Sequence, residues 1–192
     1  MKIKRIAILA SGSGSNAVKM IEYFKSSETI KAALLLTNNA TAGVLEKTSH
    51  QIEQFIINNE QADDGVLLTE IMKSYEIDYI ILAGYLRKIP ELLIESYPHH
   101  IINIHPALLP KYGGKGMYGM NVHTAVKENK ELESGITIHL VNQNYDEGKI
   151  LAQFTTPILP EDSPEKIQQK VLKLEHENYS KTIESYILED TK

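Results

Sequence analysis

Short apolar runs alternate with amphipathic stretches through the first two thirds of the chain. Arg5 to Ala10, Ala32 to Thr37, Gln54 to Ile57, Tyr79 to Ala83 and Ile101 to His105 have the length and composition of buried strands. Between them, Ala17 to Lys25, Ala42 to Gln51, Val66 to Ser74 and Pro90 to Ser96 carry helical patterns. Strand, helix and strand joined by short links predict right-handed crossovers, hence an α/β fold with a mostly parallel twisted sheet and helices on both faces. In such Rossmann-like sheets, ligands gather beyond the carboxyl ends of the strands.

The last third changes period. "GITIHLV" at 135 to 141 alternates apolar and polar residues, "NQNYDEG" is turn-rich, and "KILAQFT" at 149 to 155 resumes strand composition. A hairpin-like return follows, an antiparallel extension of the sheet. After it a long C-terminal helix runs to about Leu188, opened by Asp162 or Ser163 as N-cap, Pro164 at the first helical position and Glu165 in the first turn. The chain shows neither an internal repeat nor an interdomain linker.

Two places depart from what packing alone asks for. In "IINIHPALLP" the strand spends Asn103 and His105 on one face while Ile102 and Ile104 take the other, and Pro106 ends it. Either polar residue alone reads as a loop cap or a satisfied core histidine; two of them converging at a carboxyl terminus read as a site. Asp146, in the turn-rich segment after the sixth strand, is the candidate carboxylate to raise the pKa of His105, although on local sequence alone it reads as an ordinary turn aspartate. The second place is "ILASGSGSNAV". There Gly12, Ser13, Gly14, Ser15, Asn16 and Ala17 join the first strand to the first helix and offer backbone amides to an anion. Gly12, Gly14 and Ala17 also satisfy the dinucleotide pattern G-x-G-x-x-[GA]. No acid lies between Ile30 and Leu45 to hold a ribose, however, so a phosphate monoester is the expected occupant.

Composition narrows the classes. The 192 residues are 42% hydrophobic and 23% charged with a net charge of -5, which argues against nucleic-acid binding and for small-molecule work. The absence of cysteine removes disulfides, thiolate metal sites and cysteine nucleophiles. "MKIKRIAILASGSGS" begins like a signal peptide, but its apolar stretch is short and no A-x-A site follows. The longest apolar run, "YIILAGYL", falls far below the ~20 residues of a membrane span. A soluble, cytoplasmic protein is expected. His99, His100 and His105 lie within seven residues, yet the adjacent pair His99 and His100 would point to opposite sides of an extended chain and no acidic partner accompanies them, so no metal is expected.

Taken in order, "SGSGSN", "ILAGYLRKIP", "NIHPALLPKY", "GITIHLV", "YDEGKILAQ" and "LEHENY" resemble the phosphoribosylglycinamide formyltransferases, a folate-dependent family of purine biosynthesis. The resemblance implies a single formyltransferase domain over 1–192, with 1–100 as the phosphate- and ribonucleotide-binding half and 101–192 as the catalytic and folate-binding half. It implies formyl transfer from 10-formyltetrahydrofolate to the primary amine of glycinamide ribonucleotide, without metal, nicotinamide or flavin. Asn103, His105 as proton donor and Asp146 are the implied catalytic trio. Gly14, Ser15, Asn16 and Glu175 would hold the ribonucleotide. Leu86, Arg87, Lys88, Ile89, Asn103 and Asp146 would hold the folate, with residues 142–146 forming one wall, and Thr137 and His139 would line the centre. Implied partners are small molecules, neither nucleic acid nor membrane, with the chain a monomer or homodimer. Other formyl-folate transferases or hydrolases, or a non-catalytic nucleotide-binding relative, are the alternatives. A second domain found in some of those relatives is not expected in a chain of this length. Departures from the family pattern are Ala107, Lys88, Leu172, no arginine in "NNEQADDG" at 58–65, and a longer "KYGGKGMYGMNVH" whose glycines suggest a mobile flap.

Overall fold

A computed structural model describes residues 2–190. One sheet of seven strands runs in the order β3-β2-β1-β4-β5-β6-β7. The chain forms two compact units, residues 1–103 and 104–192.

The first unit contains β1 (Lys4–Leu9), α1 (Ser15–Phe24), β2 (Ile30–Thr37), α2 (Gly43–Lys47), β3 (Glu53–Ile56), α3 (Asn59–Ala62), α4 (Gly65–Ser74), β4 (Tyr79–Leu82) and α5 (Glu91–Ser96), and the first part of β5 (Ile101–His105). Its strands pair in parallel, with Leu9 beside Leu36 and Leu82, and Leu82 beside Asn103. Ile6 to Leu9 and Tyr79 to Leu82 are buried throughout, which is why they read as unbroken apolar runs. From β1 the order steps one way to β2 and the other way to β4, so right-handed crossovers put their helices on opposite faces. The reversal leaves a crevice beyond the carboxyl ends of β1 and β4, where such sheets bind ligands. Helix starts follow local chemistry: the Asp64 carboxylate accepts from the Val66 and Leu67 amides, both at 3.0 Å, and Asn58 and Gln61 form a capping box for α3.

The second unit contains the end of β5, α6 (Met120–Glu128), β6 (Glu133–Leu140), β7 (Ile150–Pro157) and α7 (Pro164–Asp190). β6 and β7 pair antiparallel, as the change of period predicts. Helix α7 buries Ile167, Val171, Tyr179, Ile183 and Ile187, a spacing of four that keeps one stripe inward, and packs on α6, β6 and β7. Each buried isoleucine stabilises the unit by about 1.5–3 kcal/mol relative to an exposed one. Of the two candidate N-caps, Ser163 fills the role, its Oγ accepting from the Lys166 amide at 3.3 Å. The Asp162 carboxylate instead accepts from the Leu159 amide and from Lys170.

Two helices are absent from the sequence expectation. α3 lies in a mostly polar run whose one apolar residue, Ala62, sets no period. α6 starts inside the segment read as a glycine-rich flap, and its buried face, Val122, His123 and Val126, includes an imidazole where pattern reading looks for an aliphatic.

Candidate active site

Strand β5 delivers its last residues as the alternation predicts. In the second unit His105 is 4% exposed, and its Nδ1 lies 3.6 Å from Asp146 Oδ2. The other carboxylate oxygen lies 3.6 Å from Nε2 of His139, itself 2% exposed on β6. One carboxylate thus stands between two buried imidazoles. Each ring is fixed on its far side by a backbone carbonyl: His105 Nε2 donates to Tyr112 O at 2.7 Å, and His139 Nδ1 donates to Leu140 O at 2.9 Å. A carbonyl only accepts, so those two nitrogens carry hydrogens and the ring orientations are set.

The segment after β5 folds over this cluster. The Gly114 amide donates to Asp146 Oδ2 at 2.8 Å. A Cβ at Gly113 would meet Leu109 Cδ2 at 2.6 Å and Asp146 Cβ at 3.2 Å, so the segment packs closely on both side chains. Tyr112 and Asp146 both hold positive φ, 58° each, backbone strain of the kind that concentrates around sites. Thr137, expected to line the centre, braces this segment instead. Its hydroxyl donates to Ala107 O at 2.7 Å and accepts from the Leu109 amide at 3.0 Å and from Gln153 at 2.9 Å.

Burial is the largest influence on His105 and leaves its imidazole below the ordinary value; Asp146 pushes it up, as expected, and so does the Tyr112 carbonyl, while His139 adds to the depression. Asp146 behaves oppositely. Burial pushes its pKa up, but His139, His105 and the Gly114 amide together outweigh burial and hold the carboxyl below its usual range. A third histidine lies beside them without any forecast from sequence. His123 on α6 is 2% exposed, and burial, reinforced by His105, pushes it down to about 4. Its Nδ1 has no hydrogen-bond partner among the described residues. The G-x-x-x-H spacing after the glycine-rich segment was its only trace in the sequence.

The first unit carries the other candidate features, at the crevice between β1 and β4. Helix α1 begins at Gly14 with φ 70° and no side-chain cap, and its first intrahelical bond is Val18 N to Gly14 O at 2.9 Å. Its opening amides therefore point out of the helix, together with the positive end of its dipole. The loop is clamped by α2. Val44 N donates to Gly12 O at 3.2 Å, Lys47 Nζ donates to Ser13 O at 2.9 Å, and a Cβ on Gly14 would meet Val44 Cγ2 at 2.1 Å. Ser11 joins the loop to the turn after β4: its hydroxyl accepts from the Leu86 amide at 2.9 Å and donates to Asn38 Oδ1 at 2.7 Å. In that turn Leu86 is 60% exposed, Ile89 is buried, and Arg87 pairs with Asp63. Tyr85 is buried, its hydroxyl without a partner among the described residues, and burial pushes its phenol up to about 12.

The geometry thus brings His105, His139 and Asp146 together within the second unit. Asn103 lies two residues before His105 on the same strand, and Gly14, Ser15 and Asn16 lie together with the 86–89 turn in the first unit. Glu175 sits half-buried on α7, where its charge adds to burial in raising the Tyr179 phenol.

Comparison with known proteins gives the kinship. The family model described as Formyl transferase matches residues 4–183. Phosphoribosylglycinamide formyltransferase of Bacillus subtilis is 34% identical over 192 residues, covering 96% of this chain and 95% of its own. The chloroplastic phosphoribosylglycinamide formyltransferase of Arabidopsis thaliana is 40% identical over 94% of this chain, which spans 64% of that relative's length. The crystal structure of phosphoribosylglycinamide formyltransferase from Bacillus halodurans superposes with a TM-score of 0.87 at 32% identity, covering 96% of this chain and 95% of that one. With nearly the whole chain matched by the family model and by relatives of the same length, the chain belongs to the formyl transferase family, among the phosphoribosylglycinamide formyltransferases.

Proposed function

We propose that this chain transfers the formyl group of 10-formyltetrahydrofolate to the primary amine of glycinamide ribonucleotide, a step of purine biosynthesis, in the cytoplasm, with no metal, nicotinamide or flavin. The observation that carries the reading is the carboxylate of Asp146 set between the buried imidazoles of His139 and of His105, the latter on the strand that also bears Asn103. Such a group can supply a proton and stabilise an oxyanion, the two needs of acyl transfer to an amine.

The amine nitrogen attacks the formyl carbon, and the carbonyl electron pair moves onto oxygen. The Asn103 amide and the His105 imidazolium are the donors to that oxyanion. The proton lost by the amine passes through water ordered by Asp146 to His105, and His105 gives a proton to the folate nitrogen, which leaves with the pair of the broken C–N bond. One N–H is lost and one is gained, so no further reactant is needed. Burial keeps His105 below its ordinary pKa before substrates arrive. The developing oxyanion supplies the negative charge that shifts the ring toward imidazolium as it is needed. With Nε2 bonded to Tyr112 O and Asp146 bonded to the Gly114 amide, the ring reaches substrate once residues 112–114 release one of these contacts.

Gly14, Ser15 and Asn16, with Glu175, hold the ribonucleotide in this reading. Leu86, Arg87, Lys88, Ile89, Asn103, Asp146 and the 142–146 segment hold the folate, His139 orients Asp146, and the whole chain acts as one catalytic domain. The test is the appearance of deformylated folate with and without glycinamide ribonucleotide. Folate release that depends on the amine supports transfer. Equal release in its absence marks a hydrolase, and no release by folded protein overturns the reading.

A further inference from the structure

At the other end of the sheet from the crevice, the first unit holds an open cleft of about 570 Å³, large enough for a small molecule. Arg5 and Lys31 are the second residues of β1 and β2, and Glu53 opens β3, so the cleft lies at the amino ends of these parallel strands. The glycine-serine loop instead follows the carboxyl end of β1. The cleft gathers two permanent cations and one carboxylate, the reverse of the balance in a chain of net charge -5.

The sheet and α4 place these groups. Arg5 pairs with Lys31 across the strands, and just beyond them Ile6 pairs with Ala32 and Ala7 with Leu34, so Ala33 is an extra residue in β2. Ala32 and Ala33 line the cleft, so the bulge presents small side chains there and leaves space. The Arg5 guanidinium is anchored at one corner, its Nε donating to the carbonyl of Tyr75, the C-cap of α4, at 2.8 Å. The Arg5 backbone amide donates to Asp78 Oδ2, also at 2.8 Å. The terminal nitrogens of Arg5 have no acceptor among the described residues, and neither Lys31 nor Glu53 is ion-paired there. A guanidinium held at Nε offers its remaining N–H groups as a fork that matches phosphate. His50, at φ 63° in the link from α2 to β3, lines the same cleft. Opposite charges that share a cleft without meeting leave room between them for a molecule that carries an anion at one end and a hydrogen-bond donor at the other.

We propose that this cleft binds an organic phosphomonoester with free hydroxyls, a sugar phosphate or a nucleotide, whose phosphate sits on the Arg5 fork and Lys31 and whose hydroxyl donates to Glu53. Inorganic phosphate answers the cations but brings its charge close to the Glu53 carboxylate, so it is the weaker ligand. Binding here draws on none of the residues assigned to formyl transfer.

The test titrates ¹⁵N-labelled protein with ribose 5-phosphate, AMP and inorganic phosphate, followed by NMR. Amides of residues 31–33 and 51–53 report this cleft, and those of residues 12–16 report the glycine-serine loop separately. Saturable shifts at 31–33 and 51–53 are expected with both esters, at lower concentration than with inorganic phosphate. Tighter binding of AMP identifies the ligand as a nucleotide, and equal binding identifies it as a sugar phosphate. Lys31→Glu alters an exposed side chain and should raise the dissociation constant of ribose 5-phosphate by at least about 10-fold, as loss of a charge-assisted contact does. Glu53→Gln should remove most of the preference for ester over inorganic phosphate. Amides at 31–33 and 51–53 that stay fixed up to about 10 mM ester, shifts indifferent to Lys31→Glu, or equal affinity for inorganic phosphate in wild type would each overturn the proposal.

Discussion

The two units carry their polar groups in opposite states. At the start of α1 in the first unit the candidate groups are backbone amides with no side-chain cap, in a loop whose Ser13 carbonyl accepts from Lys47. In the second unit they are buried side chains whose polar atoms are committed: His105 to Tyr112 O, His139 to Leu140 O, and Asp146 to both rings and the Gly114 amide. A helix start without a side-chain cap suits an anion, because its first amides have no intrahelical acceptor. A saturated, desolvated acid–base group works only when charge develops beside it, because an unpaired charge there is costly. Under the proposed function this contrast becomes a division of labour, in which the amides of the first unit hold the ribonucleotide's phosphate and the imidazoles of the second handle the proton.

The largest expected effect lies in the second unit. His105→Ala or Asp146→Asn should lower kcat by about 10²–10⁴-fold, the range for loss of a general acid or its partner. Ribonucleotide affinity, measured by calorimetry, should stay within a few-fold of wild type. Loss of affinity in step with kcat would erase the distinction between the units.

Gly14→Ala strikes the first unit. It combines a φ of 70° with a Cβ driven to 2.1 Å from Val44 Cγ2, and should cost roughly 2–5 kcal/mol in a denaturant titration. Val44→Ala in the same chain removes Cγ2 but leaves Val44 Cβ at 2.4 Å and the φ unchanged, so it should recover little of the loss.

A next test is acid. His123 is pushed from 6.5 to about 4 and His105 also lies below its ordinary value, so the folded chain binds fewer protons than the unfolded one below pH 6.5. Stability contributed by keeping these rings neutral is complete above pH 6.5 and is lost as pH falls through the folded values. For His123 alone the loss approaches about 3 kcal/mol by pH 4. His123→Asn should flatten the pH dependence of stability over that window. An unchanged slope would show that His123 is not the ring taking up those protons.

The smallest effect is Asp64→Ala, which strips the side-chain cap from α4 and should cost about 1 kcal/mol while leaving turnover alone.

Much of this was legible in the sequence where one local pattern decides the outcome. β5 occupies Ile101–His105 as read, because alternation sets its faces and Pro106 its end. β2 begins at Ile30 rather than Ala32, since exposed Lys31 interrupts the apolar run. α2 stops at Lys47 rather than Gln51, where Thr48 bonds back to Val44 O and His50 turns to φ 63°. Asp146 could be picked out as a carboxylate after a strand, but the net effect on His105 could not, because burial is a property of the packed unit. Tyr112 O and Gly114 N were beyond reach for a different reason. Backbone groups leave no mark on residue identity, and their place depends on how the 111–114 segment folds over β5. His123 was hidden by the docking of α6, which turns a polar residue inward.

The most direct measurement follows a ¹³C-labelled formyl group from 10-formyltetrahydrofolate by NMR, in wild type and in Asp146→Asn. The account predicts a new formamide carbon on glycinamide ribonucleotide with wild type, and a rate at least 100-fold lower in the variant. Label released as free formate by wild type, or a variant as fast as wild type, would contradict it.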